Sequence, residues 1–271
     1  MCPNCRAFIT TNDKICPYCG ERTGKTYVQR NPGDTALGGL ISQAHFTTIL
    51  ILMLNAGLFV ATQLLARKYG GGRGEMVALW ALGAKSTQSI VQEHQWWRLV
   101  TAGFLHGGWI HILMNSWVLY DLGAQVEQLY ETPRFLVIYF VSTIGGFYLS
   151  MIMSPAALSI GASAGITGLI GAMVAFGVMN RSSVGKDIRD FYLRWVVYVL
   201  AMGFFISGTD NWAHMGGLVA GFAVGYLAGT PIRSTRTRET LWRGLAAFCV
   251  VATAFCFWQV YRHFPTPDQL R

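Results

Sequence analysis

Five residues whose side chains can move protons or hold an anion fall in three short, otherwise apolar stretches. They are His106, His111 and Asn115 in FLHGGWIHILMN, Ser163 in GASAGITG, and His214 in NWAHMGGLVAGFAVG. A serine beside a histidine is enough for nucleophilic catalysis, because the imidazole takes the hydroxyl proton as the oxygen attacks. An asparagine amide and further imidazoles can donate to the negative charge that develops on a carbonyl under attack. A second chemical set is Cys2, Cys5, Cys16 and Cys19, two CxxC pairs in MCPNCRAFITTNDKICPYCG with ten residues between them. Each pair is a tight knuckle that aims two thiolates at one point, and four thiolates satisfy tetrahedral zinc.

Each feature has a plainer reading. A serine among glycines in a membrane helix is an ordinary packing residue, and an isolated intramembrane histidine fits a proton path or a metal site as well. GASAG also fits the GxSxG elbow of soluble α/β-hydrolases. That elbow needs a strand before it and a carboxylate ahead of a late histidine, whereas LSMIMSPAALSI precedes this serine. No HExxH occurs, so a zinc protease motif is missing. Disulfides between the cysteines do not suit the reducing, cytoplasmic side deduced below, and the first thirty residues hold no apolar signal-peptide core. A redox CxxC lacks its βαβ context. A four-cysteine site has no open coordination position, so the expected Zn2+ is structural and catalysis is expected to need no cofactor.

The elements that must position the first set are membrane helices. Apolar residues make up 52% of the 271 and charged residues 13%, and the mean hydropathy is +0.37. Spans are expected at Phe46 to Ala66, Trp109 to Leu129, Phe135 to Met153, Ile160 to Met179, Phe191 to Gly208, Trp212 to Gly229 and Leu245 to Val260. Runs near the roughly 20 residues that cross hydrocarbon must be helical, since lipid offers the backbone no partners. An N-terminus on the cytoplasmic side puts fourteen Lys and Arg inside and seven outside, five of these in the loop from Arg67 to Arg98. The net charge of +8 then reads as a topology signal and an affinity for anionic lipid, and not as a nucleic-acid patch.

In that topology the second, fourth and sixth spans all begin on the outer side. His111 and Asn115 share a face of the second span, one turn apart, with His106 just before it; Ser163 opens the fourth and His214 the sixth. All five therefore sit at one depth. Gly217, Gly221 and Gly225 form a small-residue stripe beside His214, and Ala164, Gly168 and Ala172 form one beside Ser163, which is what close helix approach requires. Residues 1–22 read as a cytoplasmic zinc-ribbon-like module, 23–43 as a glycine-bearing linker, and 44–265 as the transmembrane domain. Cys249 and Cys256 read as small buried residues.

WWRLVTAGFLHGGWIHILMN, GASAGITG and AHMGGLVAG, in this order on the second, fourth and sixth spans, resemble the rhomboid intramembrane serine proteases. The resemblance covers about residues 44–265. It implies an all-α membrane protein, a six-helix bundle with a seventh C-terminal helix. It implies Ser163 as nucleophile, His214 as general base without a carboxylate, and Asn115, His111 and the Ser163 N–H around the oxyanion, with His106 in support. It also implies transmembrane proteins as substrates, and Trp97 and Arg98 in an outer loop partly sunk in lipid. Two positions depart from the family pattern. Ala164 stands where glycine usually follows the serine, and its methyl is placed to crowd the oxyanion site. Thr167 stands where an aromatic usually packs on the histidine, and its loss is placed to loosen His214. A catalytically silent relative that binds transmembrane helices is the alternative from another functional class.

Overall fold

The computed structural model describes residues 35–36, 41–68, 73–206, 208–230 and 235–266. The cysteines of the expected zinc module lie outside them. The chain parts into two compact units, Met1–Gln43 and Ala44–Arg271. In the described part of the first, β1 (Thr35–Ala36) pairs antiparallel with β2 (Ile41–Ser42), within the stretch expected as linker.

The second unit is helical. α1 spans Gln43–Lys68, and three short helices follow: α2 (Gly74–Ala81), α3 (Thr87–Gln92) and α4 (Arg98–Thr101). A 3-10 turn, Ala102–Phe104, then leads to α5 (Trp109–Met153), α6 (Ser163–Met179), α7 (Ser183–Phe205), α8 (Asn211–Ala228) and α9 (Arg236–Arg262). α5 runs for 45 residues, but Glu131 at φ 61° and ψ 158° breaks it in two. Pro133 falls in the first turn of the second half, where its missing N–H costs no helical bond.

α6 is the central element, buried at every residue from Ala164 to Ala175. It tolerates this because it carries no charge and its polar groups bond locally, as when Thr167 Oγ1 donates to the Ala164 carbonyl at 3.0 Å. α8 crosses it through the two small-residue stripes. A Cβ on Gly217 would strike the Ala164 carbonyl, one on Gly221 would strike Gly168, and one on Gly225 would lie 2.8 Å from the Ala172 Cα. α9 docks on α5 and α4. Arg134 meets Glu239 through two bonds, of 2.5 and 3.0 Å, and the Trp97 and His263 rings pack tilted at 35° with centroids 4.6 Å apart. Cys249 and Cys256 are buried on α9 as free thiols.

Among the described residues three helices are long and apolar enough to cross a membrane: Phe46–Lys68, Trp109–Met153 and Arg236–Arg262. α6 is apolar but only 17 residues long, and it starts three residues later than expected, because residues 160–162 form the loop into it. α6 and α8 trade long aliphatic side chains for the glycines and alanines that let them touch, which shortens or dilutes their apolar signal.

The segment from Arg67 to Arg98, read from the sequence as a charged outer loop, is mostly helical and buries two of its cations. Arg98 donates to the Trp80 and Ala84 carbonyls at 2.7 and 2.9 Å and to Gln95 at 2.6 Å. Lys85 is equally enclosed. Both are structural donors to backbone oxygens, not solvated topology charges.

Candidate active site

Ser163 is the first residue of α6, and His214 lies in the first turn of α8. The tight crossing of these helices brings His214 Nε2 to 2.9 Å from Ser163 Oγ. That is within the reach a nucleophile and its base require. The start of α8 is fixed by Asp210, whose side chain caps it by accepting the Ala213 N–H at 3.0 Å.

The loop ahead of Ser163 is threaded against the segment that carries His106. Gly161 donates its N–H to the Ala102 carbonyl at 2.9 Å, and Ala162 directs its N–H at His106 Nε2 at 3.5 Å. Gly161 has φ +124°, a conformation glycine adopts without strain, and a Cβ there would lie 2.7 Å from His111 Nε2 and 3.5 Å from Asn115 Nδ2. Glycine at 161 thus keeps open the space onto which both side chains face. Asn115 Nδ2 is buried without a hydrogen-bond partner among the described residues. An orphaned donor of this kind, facing Gly161 two residues before Ser163, is what an oxyanion needs.

His106 sits in the turn before α5, its ring 5.1 Å from that of His111. Burial, with His111 beside it, pulls His106 down to about 3, so the ring is neutral and can accept from Ala162. All five sequence-picked residues are therefore gathered within one neighbourhood. Gly161, Lys85 and Asp210 were not picked. For Asp210 a signal existed, an acidic residue three ahead of Ala213 in the N-cap position.

The two departures look different in place. The Ala164 methyl is fully buried in an apolar cluster with Ile90, Leu99, Ala102, Phe147, Met151 and Ala213. It faces Gly146, whose missing side chain makes room for it. The methyl fills a packing gap. Thr167, Ile170, Val196, Val199, Leu200 and Leu218 line a small apolar cavity together with His214, so aliphatic groups of α6, α7 and α8 stand beside the histidine.

The Rhomboid domain matches residues 93–231 of the chain. The chain belongs to the rhomboid family. This rhomboid is 34% identical over 215 residues to the Rhomboid protease GluP of Bacillus subtilis (strain 168), a match covering 78% of this chain and 41% of that one. To Rhomboid-like protease 3 of Toxoplasma gondii it is 31% identical over 208 residues, 76% of this chain and 75% of that one. To RHOMBOID-like protein 6, mitochondrial, of Arabidopsis thaliana it is 35% identical over 148 residues, 54% of this chain and 48% of that one. The match thus spans less than half the length of the Bacillus and Arabidopsis relatives. Family and apolar helices together make this rhomboid an integral membrane protein.

Proposed function

We propose that this rhomboid is an intramembrane serine endopeptidase that cuts transmembrane segments of other membrane proteins. The observation that carries the reading is the 2.9 Å contact between Ser163 Oγ and His214 Nε2, set beside an unpartnered Asn115 amide. Ser163 Oγ attacks the scissile carbonyl carbon while its proton passes to His214 Nε2. The carbonyl oxygen becomes an oxyanion facing Asn115 Nδ2, His111 Nε2 and the Ser163 N–H, at the positive end of the α6 macrodipole. The tetrahedral adduct collapses as His214 returns the proton to the leaving amine. Water then hydrolyses the acyl ester by the same route, with His214 as base. His106 braces the loop through Ala162 and does not react.

The same reading places seven spans in a bacterial inner membrane, the N-terminus cytoplasmic and the pair near the outer side, as the Lys and Arg distribution favours. It also gives the N-terminal module one structural Zn2+ on Cys2, Cys5, Cys16 and Cys19, with no part in the chemistry.

The test is fluorophosphonate labelling of the purified protein beside cleavage of a transmembrane reporter. Wild type should label and cleave; Ser163→Ala and His214→Ala should each abolish cleavage, and the double variant should be hardly worse than either, because the two act as a unit. A folded wild type that neither labels nor cleaves would assign the chain to the silent, helix-binding class.

A further inference from the structure

The last turn of α5 and the residues just after it anchor both halves of the proposed pair. Lys85, between α2 and α3, is fully buried. Its ammonium donates to the Ser154 carbonyl at 2.8 Å and the Ala157 carbonyl at 3.1 Å, and its backbone pairs in both directions with Ser159 at 3.0 and 3.1 Å. These residues lead directly into Gly161, Ala162 and Ser163. Lys85 is itself held in place, since Arg98 grips the neighbouring Ala84 carbonyl at 2.9 Å and Thr101 Oγ1 the Gly83 carbonyl at 2.7 Å.

One turn before Ser154 on α5, Ser150 donates its hydroxyl to Asp210. The second carboxylate oxygen of Asp210 caps α8 through Ala213, and its carbonyl accepts the His214 N–H at 3.2 Å. Ser163 is thus reached from Ser154 by way of Lys85, and His214 from Ser150 by way of Asp210. Burial pulls the Lys85 ammonium below the usual lysine range, and the Asp210 carboxylate opposes that shift. A buried cation on neutral carbonyls is costly without a counter-charge, and Asp210 supplies one from the helix of the base.

We propose that Lys85 and Asp210 are positioning residues: anchored on Ser154 and Ser150, they hold the loop into Ser163 and the first turn of the His214 helix on one frame and so set the separation of Oγ and Nε2. This rests on the reading of Ser163 and His214 as nucleophile and base. The tolerance is narrow, because the useful window runs from about 2.6 to 3.2 Å, and one segment to be held is a loop.

The experiment uses the full chain in detergent. Fluorophosphonate labelling carried to completion counts competent sites, and kcat per labelled site then separates misplacement from loss of folded protein. Asp210→Ala and Lys85→Met are expected to lower kcat per labelled site by about 10- to 100-fold with KM changed by less than about threefold. Asp210→Asn keeps the oxygen that caps α8, and its amide N–H can donate to Ser150 Oγ where the second carboxylate oxygen accepted from it, so it recovers most of the Asp210→Ala loss. Ser150→Ala, which leaves the cap intact, loses about 3- to 10-fold and decides the matter with Asp210→Ala where Lys85→Met does not fold. A kcat per labelled site within about twofold of wild type in both Asp210→Ala and Ser150→Ala overturns the proposal. Wild-type protein that neither labels nor cleaves overturns the protease reading on which it rests.

Discussion

Gly217→Ala tests the packing that brings the two reacting groups together. A Cβ on Gly217 would run into the Ala164 carbonyl, lying 2.9 Å from its carbon and 2.8 Å from Thr167 Oγ1. Carbon atoms settle at about 3.5–4.0 Å. The obstacles are helix backbone and a hydroxyl already bonded to Ala164, so neither swings aside cheaply; because the Ala164 carbonyl oxygen lies closer than its carbon, α8 must move off α6 by at least about 0.6–1 Å to restore contact distance. Ala164 adjoins Ser163, and Gly217 is one turn from His214, so the shift falls on the pair. Their separation would grow from 2.9 Å to about 3.5–3.9 Å, outside hydrogen-bond reach. A misplacement near 1 Å costs on the order of 100-fold in rate, and overpacking costs about 1–3 kcal/mol of stability. Reporter cleavage and labelling rate, beside thermal unfolding in detergent, measure both. Gly244→Ala on α9 is the control, since a Cβ there meets nothing within 4 Å; it should keep full activity and gain up to about 1 kcal/mol from helix propensity. Cleavage by Gly217→Ala within about threefold of wild type would refute the argument that this crossing sets the pair.

Asn115→Ala should slow cleavage by about 100- to 1000-fold without abolishing it, as loss of one oxyanion donor does elsewhere; an unchanged kcat would remove Asn115 from the oxyanion site. Ala164→Gly should not raise kcat. It empties the space against Gly146 and puts glycine into a buried helix, at about 1.5–2 kcal/mol of stability, read as a lower Tm; a faster enzyme would show that the methyl crowds the reaction after all. For the N-terminal module, metal analysis of the full chain should find one zinc, and changing Cys2, Cys5, Cys16 and Cys19 to serine should remove it while reporter cleavage in detergent persists. A zinc-free full chain would mean the cysteines do something else.

The five candidate residues were legible because the membrane makes them conspicuous. Polar side chains are expensive in an apolar run, so His111, Asn115, Ser163 and His214 stand out against their neighbours, and their spacing from the expected span starts gave them a common expected depth. The break in α5 was legible for the same reason in reverse: Glu127, Glu131, Pro133 and Arg134 interrupt an apolar pattern that otherwise continues to Met153. Lys85 and Asp210 carry no such contrast with an apolar run, and the one mark on Asp210 is its N-cap position. They sit among other polar residues, and their partners are largely backbone groups, which every residue type has and no sequence pattern marks.

The same limit bears on Ala164. Counted along the chain, a methyl beside Ser163 belongs to the active site. Where it points depends on the turn of α6 and on Gly146, far away on α5, which leaves the gap it fills. A helix directs successive side chains about 100° apart, so the residue after the nucleophile faces a different neighbour from the nucleophile itself. Adjacency in sequence is therefore a poor guide to adjacency in a packed bundle. A spacing of three or four residues is a better one, and it correctly linked His111 with Asn115 and His214 with Gly217.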